Sequence, residues 1–153
     1  MKFEGYIDIK APRERVVRLF NDPRFLGEYQ EGFLGKEVTS GEPQQDGSVS
    51  KMRYKYGKNN MELTETIISN QLPDSFEGFY HHKHMDNTMK SIFTELDDNT
   101  TRYTYLIHYT RMSWIMPKLM SIFFRGMFRK QGEKWMQNFK RFVENYQDET
   151  GND

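Results

Sequence analysis

The stretch that decides the fold is PKLMSIFFRGMFRKQGEKWMQNFKRFVENYQ, residues 117–147. At a helical repeat, Met120, Phe123, Phe124, Met127, Phe128, Trp135, Phe139, Phe142 and Tyr146 fall on one broad face. Lys118, Arg125, Arg129, Glu133, Lys140 and Glu144 fall opposite. A long helix with such a stripe must cover another apolar surface, and the rest of the chain offers only a sheet for that role.

Upstream, residues 2–9 alternate as a strand, with Phe3, Gly5, Ile7 and Ile9 on one side. Ala11-Pro12 ends it, and residues 12–20 read as a short helix buried through Val16, Val17, Leu19 and Phe20. Asn21-Asp22-Pro23 breaks that helix, and Asp22 caps a second one running through Leu26. Six further strands are expected at residues 33–39, 48–56, 61–68, 76–84, 89–96 and 101–111. Turn signals around Gly41–Gly47, Gly57–Asn60 and Asp97–Thr100 separate several of them. This spacing predicts an antiparallel meander. The fold class expected is α+β, a curved sheet wrapped around the final helix, with residues 148–153 as a loose tail.

Composition narrows the function. Basic and acidic residues balance at 22 each, so no global field draws nucleic acid. With no cysteine, disulfides and thiolate nucleophiles are excluded. The N-terminal MKFEGYIDIK does not read as a signal peptide, and the apolar stretch at residues 114–124 is interrupted by Pro117, Lys118 and Ser121. A cytoplasmic protein without integral membrane association is expected, as monomer or homodimer. The 10 Met, 12 Phe and 9 Tyr supply large, adaptable apolar walls.

A sheet curved around one helix leaves a hollow, and the alternation says what would line it. Met52, Tyr54 and Tyr56 share a face, as do Leu63 and Glu65. Tyr80 and His82 are in phase, and so are Tyr103, Tyr105 and Tyr109. From the helix, Met127 and Trp135 would join them. Gln131 and Asn138 lie inside the apolar stripe, where an unpaired amide in a dry core would cost about 1–3 kcal/mol. They either face a wet or ligand-filled cavity or bond backbone carbonyls of the sheet.

Candidate chemistry is sparse. Glu65 in an apolar cavity could serve as a general base; alternatively a bulge turns it outward or a nearby Lys or Arg pairs with it. His82 and His84 share a strand face, with Asp86 or His108 as the nearest third ligands for a metal. A half-exposed histidine cluster at a strand end is the simpler reading, or His82 alone as a polar group in the pocket. The rows Lys51, Arg53, Lys55 and Arg125, Arg129, Lys130 read as solvated faces. No phosphate-binding glycine loop, nucleophile elbow or zinc motif occurs, so neither cofactor nor metal is expected.

These pieces resemble the START/polyketide-cyclase-like (SRPBCC) superfamily, which shares the helix-grip fold of the birch pollen allergens. The resemblance rests on Ile9-Lys10-Ala11-Pro12 leading to Val16, Phe20 and Asp22-Pro23. It rests also on the hairpin Asp46-Gly47-Ser48, on Glu65-Thr66-Ile67 leading to Pro73 and Phe76, and on the final helix. Val17 stands where that family often has Trp, and Thr100 where it often has Gly. The resemblance implies one domain over residues 1–147: seven antiparallel strands gripping the last helix, and two short helices closing one end. It also implies a cavity for a small hydrophobic or lipid-like ligand. It implies no activity, since members include lipid carriers, receptors and cyclases. Three functions therefore stay open: a binding or carrier protein, a polyketide cyclase or dehydratase using Glu65, His82 or a Tyr hydroxyl, and a protein-interaction module.

Overall fold

The computed structural model describes residues 1–113 and 118–148; the side chains of Tyr56 and of residues 118–128, Met127 among them, lie outside the description. Strand β1 (Lys2–Ile9) is followed by α1 (Arg13–Asn21), a 3₁₀ turn (Pro23–Phe25) and α2 (Leu26–Tyr29). Then come β2 (Phe33–Ser40), β3 (Val49–Tyr56), β4 (Asn59–Gln71), β5 (Ser75–His82), β6 (Met85–Asp97) and β7 (Thr100–Met112). Helix α3 (Lys118–Asn145) closes the chain. The Asp22 carboxylate accepts the Arg24 backbone N–H at 3.0 Å and so starts the 3₁₀ turn. Among the described residues no helix is long and apolar enough to cross a membrane.

The strands form one seven-stranded antiparallel sheet in the order β1-β7-β6-β5-β4-β3-β2. Strands β4, β6 and β7 outrun the alternating pattern, each reaching 13 residues. Backbone pairing continues through their polar ends because ladder hydrogen bonds do not depend on which side chain is attached. β5 stops at His82, two residues short of the expected end, because Lys83 and His84 form the turn into β6.

Register aligns the inward side chains in rows across the concave face. One row runs Ile7, Tyr103, Phe93; another Gly5, Tyr105, Ser91, Phe76; another Tyr109, Asn87, Tyr80, Glu65, Ser50. β2 departs from simple alternation. Phe33 pairs with Tyr54, but Gly35 pairs with Arg53 and Lys36 with Met52, so Leu34 is extruded in a bulge. The bulge puts Leu34 in solvent, 56% exposed, and turns both Phe33 and Lys36 toward the inside.

Among its described side chains, α3 is anchored through Phe139 and Val143, both fully buried. Phe139 lies 4.8 Å from the Tyr29 ring and 5.8 Å from Tyr103, and Phe20 of α1 has ring neighbours in Phe76, Phe93, Tyr103 and Phe139 at 5.0–6.1 Å. Aromatic pairs at such spacings add about 0.5–1.5 kcal/mol each beyond their buried area. Lys140 and Glu144, expected on the solvent face, instead tie the helix to the end of β1 and the residue after it. Lys140 Nζ donates to the Asp8 carbonyl, and Glu144 Oε1 accepts the Lys10 N–H at 2.9 Å. Asp148, first residue of the expected tail, pairs with Arg18 at 3.1 Å; the rest of that tail lies outside the described residues. Phe139→Ala should therefore lower unfolding free energy by about 3–5 kcal/mol, read from urea denaturation.

Candidate functional site: a cavity between sheet and helix

Beyond that aromatic plug the sheet and α3 border a cavity of about 920 Å³. This is at the upper end of the size of small-molecule sites, which run roughly 300–1,000 Å³. Phe20, Leu26, Tyr29 and Phe139 close one end. At the other, the lining residues Lys55, Gly57 and His84 are exposed at the tips of the β3–β4 and β5–β6 hairpins, so the cavity opens there. The walls between are mainly Met52, Met61, Leu63, Met89, Ile107 and Met136, with tyrosines.

The structure brings most of the expected lining residues together. Met52, Tyr54, Leu63, Tyr80, His82, Tyr103, Tyr105, Tyr109, Gln131 and Trp135 all border this space. Tyr56 and Met127 fall outside the described side chains. Asn138 is a correction. Its Nδ2 donates to the Tyr29 carbonyl at 3.3 Å, so it stitches α3 to α2 and does not face the cavity. Sequence periodicity places it in the stripe, but the short helix α2 covers that part of the stripe. Trp135 stacks on Tyr54 at 5.9 Å, and its indole Nε1 is buried with no hydrogen-bond partner among the described residues.

Several hydroxyls on the lining already have partners. Tyr54 donates to Gln30 Oε1 at 2.7 Å, and Tyr103 shares a 2.8 Å hydrogen bond with Ser91 Oγ. Two glycines make room for rings: a Cβ on Gly5 would fall 2.4 Å from the Tyr105 hydroxyl, and one on Gly78 would fall 2.8 Å from that of Tyr80. The Tyr80 ring thus folds back over Gly78, and its hydroxyl reaches Glu65 Oε2 at 2.9 Å.

Glu65 is the centre of a buried ionic cluster on these walls. It points inward, as its phase implies, and it is paired. Lys36 Nζ donates to Glu65 Oε1 at 2.7 Å, and the two side chains are only 7% and 6% exposed. Lys36 also donates to Gln44 Oε1 at 2.9 Å; Gln44 Nε2 in turn donates to the backbone and side-chain oxygens of Asn21 at 3.1 Å each. Gln44 holds a left-handed backbone with φ 64°. That conformation costs a non-glycine residue about 1–3 kcal/mol. Lys36 and Gln44 are invisible in the sequence. Unbroken alternation sends Lys36 outward when Phe33 points in, and only the Leu34 bulge reverses it. Gln44 sits in a turn-rich loop with no periodicity to follow.

The histidines do not converge on a metal site. His81 pairs with Asp86, which also takes Arg111 at 2.8 Å, and His108 is exposed. His82 Nδ1 accepts the His84 backbone N–H at 3.3 Å, and the two rings lie 5.5 Å apart at the mouth. Among the described residues no group of three or more His, Asp or Glu side chains could hold an ion. Burial, with His84 and Lys83 as neighbours, lowers the His82 pKa and so favours the neutral imidazole.

Antiparallel order, the two short helices after β1 and the long helix laid across the concave face together define the architecture. The chain has the helix-grip fold of the START/polyketide-cyclase-like proteins. The Zhui aromatase/cyclase from Streptomyces sp. R1128 superimposes with a TM-score of 0.81 at 9% identity, covering 99% of this chain and 98% of that one. TTHA0849 from Thermus thermophilus gives 0.75 at 17% identity over 94% and 97%. A START superfamily protein from Mycobacterium smegmatis gives 0.72 at 7% identity over 92% and 98%. No protein-family model matches the sequence, and neither does any curated protein sequence. At these identities the likenesses establish the fold alone.

The tyrosines make the burial testable. Desolvation raises the pKa of Tyr29, Tyr54, Tyr80 and Tyr103, and the Glu65 charge adds to it at Tyr29, Tyr54 and Tyr80. An acid whose pKa is higher folded than unfolded keeps its proton longer in the native state. The stabilisation is thus complete below the ordinary phenol value of about 10 and is lost as pH rises above it. In a spectrophotometric alkaline titration these four phenols should ionise only together with the loss of near-ultraviolet circular dichroism. Ionisation well before unfolding would mean that they meet bulk solvent.

Proposed function

We propose that this protein binds a small hydrophobic or amphipathic molecule in the cavity between its sheet and α3. The observation that carries the reading is the 920 Å³ hollow itself, walled by Met, Phe and Tyr and provided with a buried polar cluster. Apolar surface lined up around open space is costly to keep wet, and a ligand of matching surface gains what the core forgoes. An interaction module would instead call for a filled interior and a contiguous apolar patch outside. The exposed large apolar residues described, Tyr6, Leu34, Val38, Ile68 and Leu96, lie on β1, β2, β4 and β6, no two of which are neighbours in the sheet.

Native mass spectrometry of protein purified from its own host should show a co-purified molecule that is released on denaturation. A mutational test uses Gly132, which lines the cavity on α3; a Cβ there would meet nothing nearer than Ile107 Cδ1 at 4.0 Å. Gly132→Leu should leave stability unchanged or raise it, since glycine in a helix costs about 1 kcal/mol relative to alanine. The same change should cut the affinity for a neutral cavity dye such as Nile red by about tenfold, the effect of about 1.4 kcal/mol of lost contact. Trp135→Ala, at a side chain facing open space on one side, should cost less stability than Phe139→Ala and weaken dye binding more.

A second reading, acid–base catalysis of the cyclase or dehydratase kind, is favoured by the convergence of Glu65, Lys36 and the Tyr80 hydroxyl on the lining. His82 takes no part in that cluster. The test is deuterium exchange into an enolisable aromatic ketone, followed by NMR. Binding alone predicts exchange at the buffer rate. Faster exchange that disappears in Glu65→Gln would establish catalysis.

A further inference from the structure

The Lys36–Glu65 pair bears on which ligands the cavity accepts. It lies among Met52, Leu63 and Tyr80, and removing two charges from water is costly. Nonpolar side chains of similar volume often serve folding as well or better, so folding alone does not call for this pair. Its polar geometry is open on the cavity side. The Lys36 ammonium carries three N–H bonds, and its two acceptors among the described residues are Glu65 Oε1 and Gln44 Oε1. Glu65 accepts once at each oxygen, from Lys36 and from Tyr80, which leaves lone pairs on both. The Tyr80 hydroxyl donates to Glu65, and its own oxygen stays able to accept. The cluster therefore offers a donor and acceptors side by side with no net charge.

Resting on the ligand-binding reading above, we infer that Lys36, Glu65 and Tyr80 form a charge-selecting subsite. It takes a neutral hydroxyl or enol group of the ligand and rejects a carboxylate. A hydroxyl can donate to Glu65 while accepting from Lys36. A carboxylate cannot donate, and it would bring a second negative charge beside Glu65. Because Lys36 is already neutralised by Glu65, the carboxylate finds no net counter-charge to set against the hydration it loses. The other Lys and Glu side chains on the described lining, Lys55 and Glu31, are exposed, and Glu31 is paired with Lys134. They reside in solvent and discriminate weakly. Selection here is a matter of an unfavourable encounter as much as of a favourable one.

The experiment compares pyrene, pyrenemethanol and pyrenecarboxylate as competitors of Nile red at pH 8, where the carboxylate is ionised. Wild-type protein should bind the alcohol at least about tenfold more tightly than the carboxylate. Glu65→Gln frees the Lys36 ammonium from its counter-ion and should reverse that order. Lys36→Met/Glu65→Leu removes both charges and keeps the inference testable should the single variant fail to fold. It should bind pyrenemethanol no better than it binds pyrene. Equal binding of alcohol and carboxylate by wild type, an unchanged ratio in Glu65→Gln, a retained hydroxyl preference in the double variant, or failure of all three to displace bound Nile red would each overturn the inference. Failure of Nile red itself to bind would instead overturn the ligand-binding reading.

Discussion

The aromatic cluster around Phe20 and Phe139 is the contact on which the rest of the molecule depends. It joins α1, α2, the concave sheet and the C-terminal half of α3 at one end. Large rings pack edge to face there, so the helix is held at that end and the sheet can curve away from it. The hollow beyond is a consequence of where the plug stops. It persists because tight packing at one end contributes enough stability to leave wall surface uncovered at the other. Lys140, donating to the Asp8 carbonyl of β1, and Glu144, accepting the Lys10 N–H just after that strand, further fix the helix.

Local irregularity then decides the chemistry of the hollow. A regular β2 would present Phe33 inward and Lys36 to solvent, and Glu65 would sit in an apolar wall without a counter-ion. One extruded residue, Leu34, shifts the phase and brings the ammonium to the carboxylate. Gly78 makes the complementary adjustment on β5. Having no side chain, it lets the Tyr80 ring fold back until its hydroxyl reaches Glu65. The strained backbone at Gln44 completes the arrangement, placing an amide where it accepts from Lys36 and donates to the end of α1. Removing Glu65 or Lys36 alone would strand a buried charge, which is why the two residues and their neutral neighbours act as a unit.

Much of the architecture is legible in the sequence. The element order, with two short helices after the first strand and a long closing helix, follows from periodicity and turn chemistry. Hydrophobic burial acts on every position and leaves its period along the chain. The inward phase of Glu65 is readable in the same way, from Leu63 and Ile67 on either side. Strand ends are less legible: β4 and β6 run on past their apolar positions because backbone pairing is indifferent to side chains. Lys140 and Glu144 show the same limit on the helix. Their charge assigns them to solvent, yet the backbone at Asp8 and Lys10 offers each of them a hydrogen bond that no helical period announces.

The sequence by itself therefore determined the architecture and the identity of most wall residues, Tyr54, Tyr80, Tyr103, Tyr105 and Trp135 among them. Each is set by a repeat of two or 3.6 residues that burial enforces along the chain. What only the tertiary structure decided is the polar chemistry inside. Lys36 meets Glu65 because a bulge reverses one strand's phase, and Gln44 joins them from a loop that has no phase. Asn138 leaves the cavity because α2, far away along the chain, covers its part of the helix. Periodicity reports which face of an element is buried. It does not report what lies across the gap, because that depends on how distant elements pack, and a single extra residue or a short covering helix is enough to change the partner.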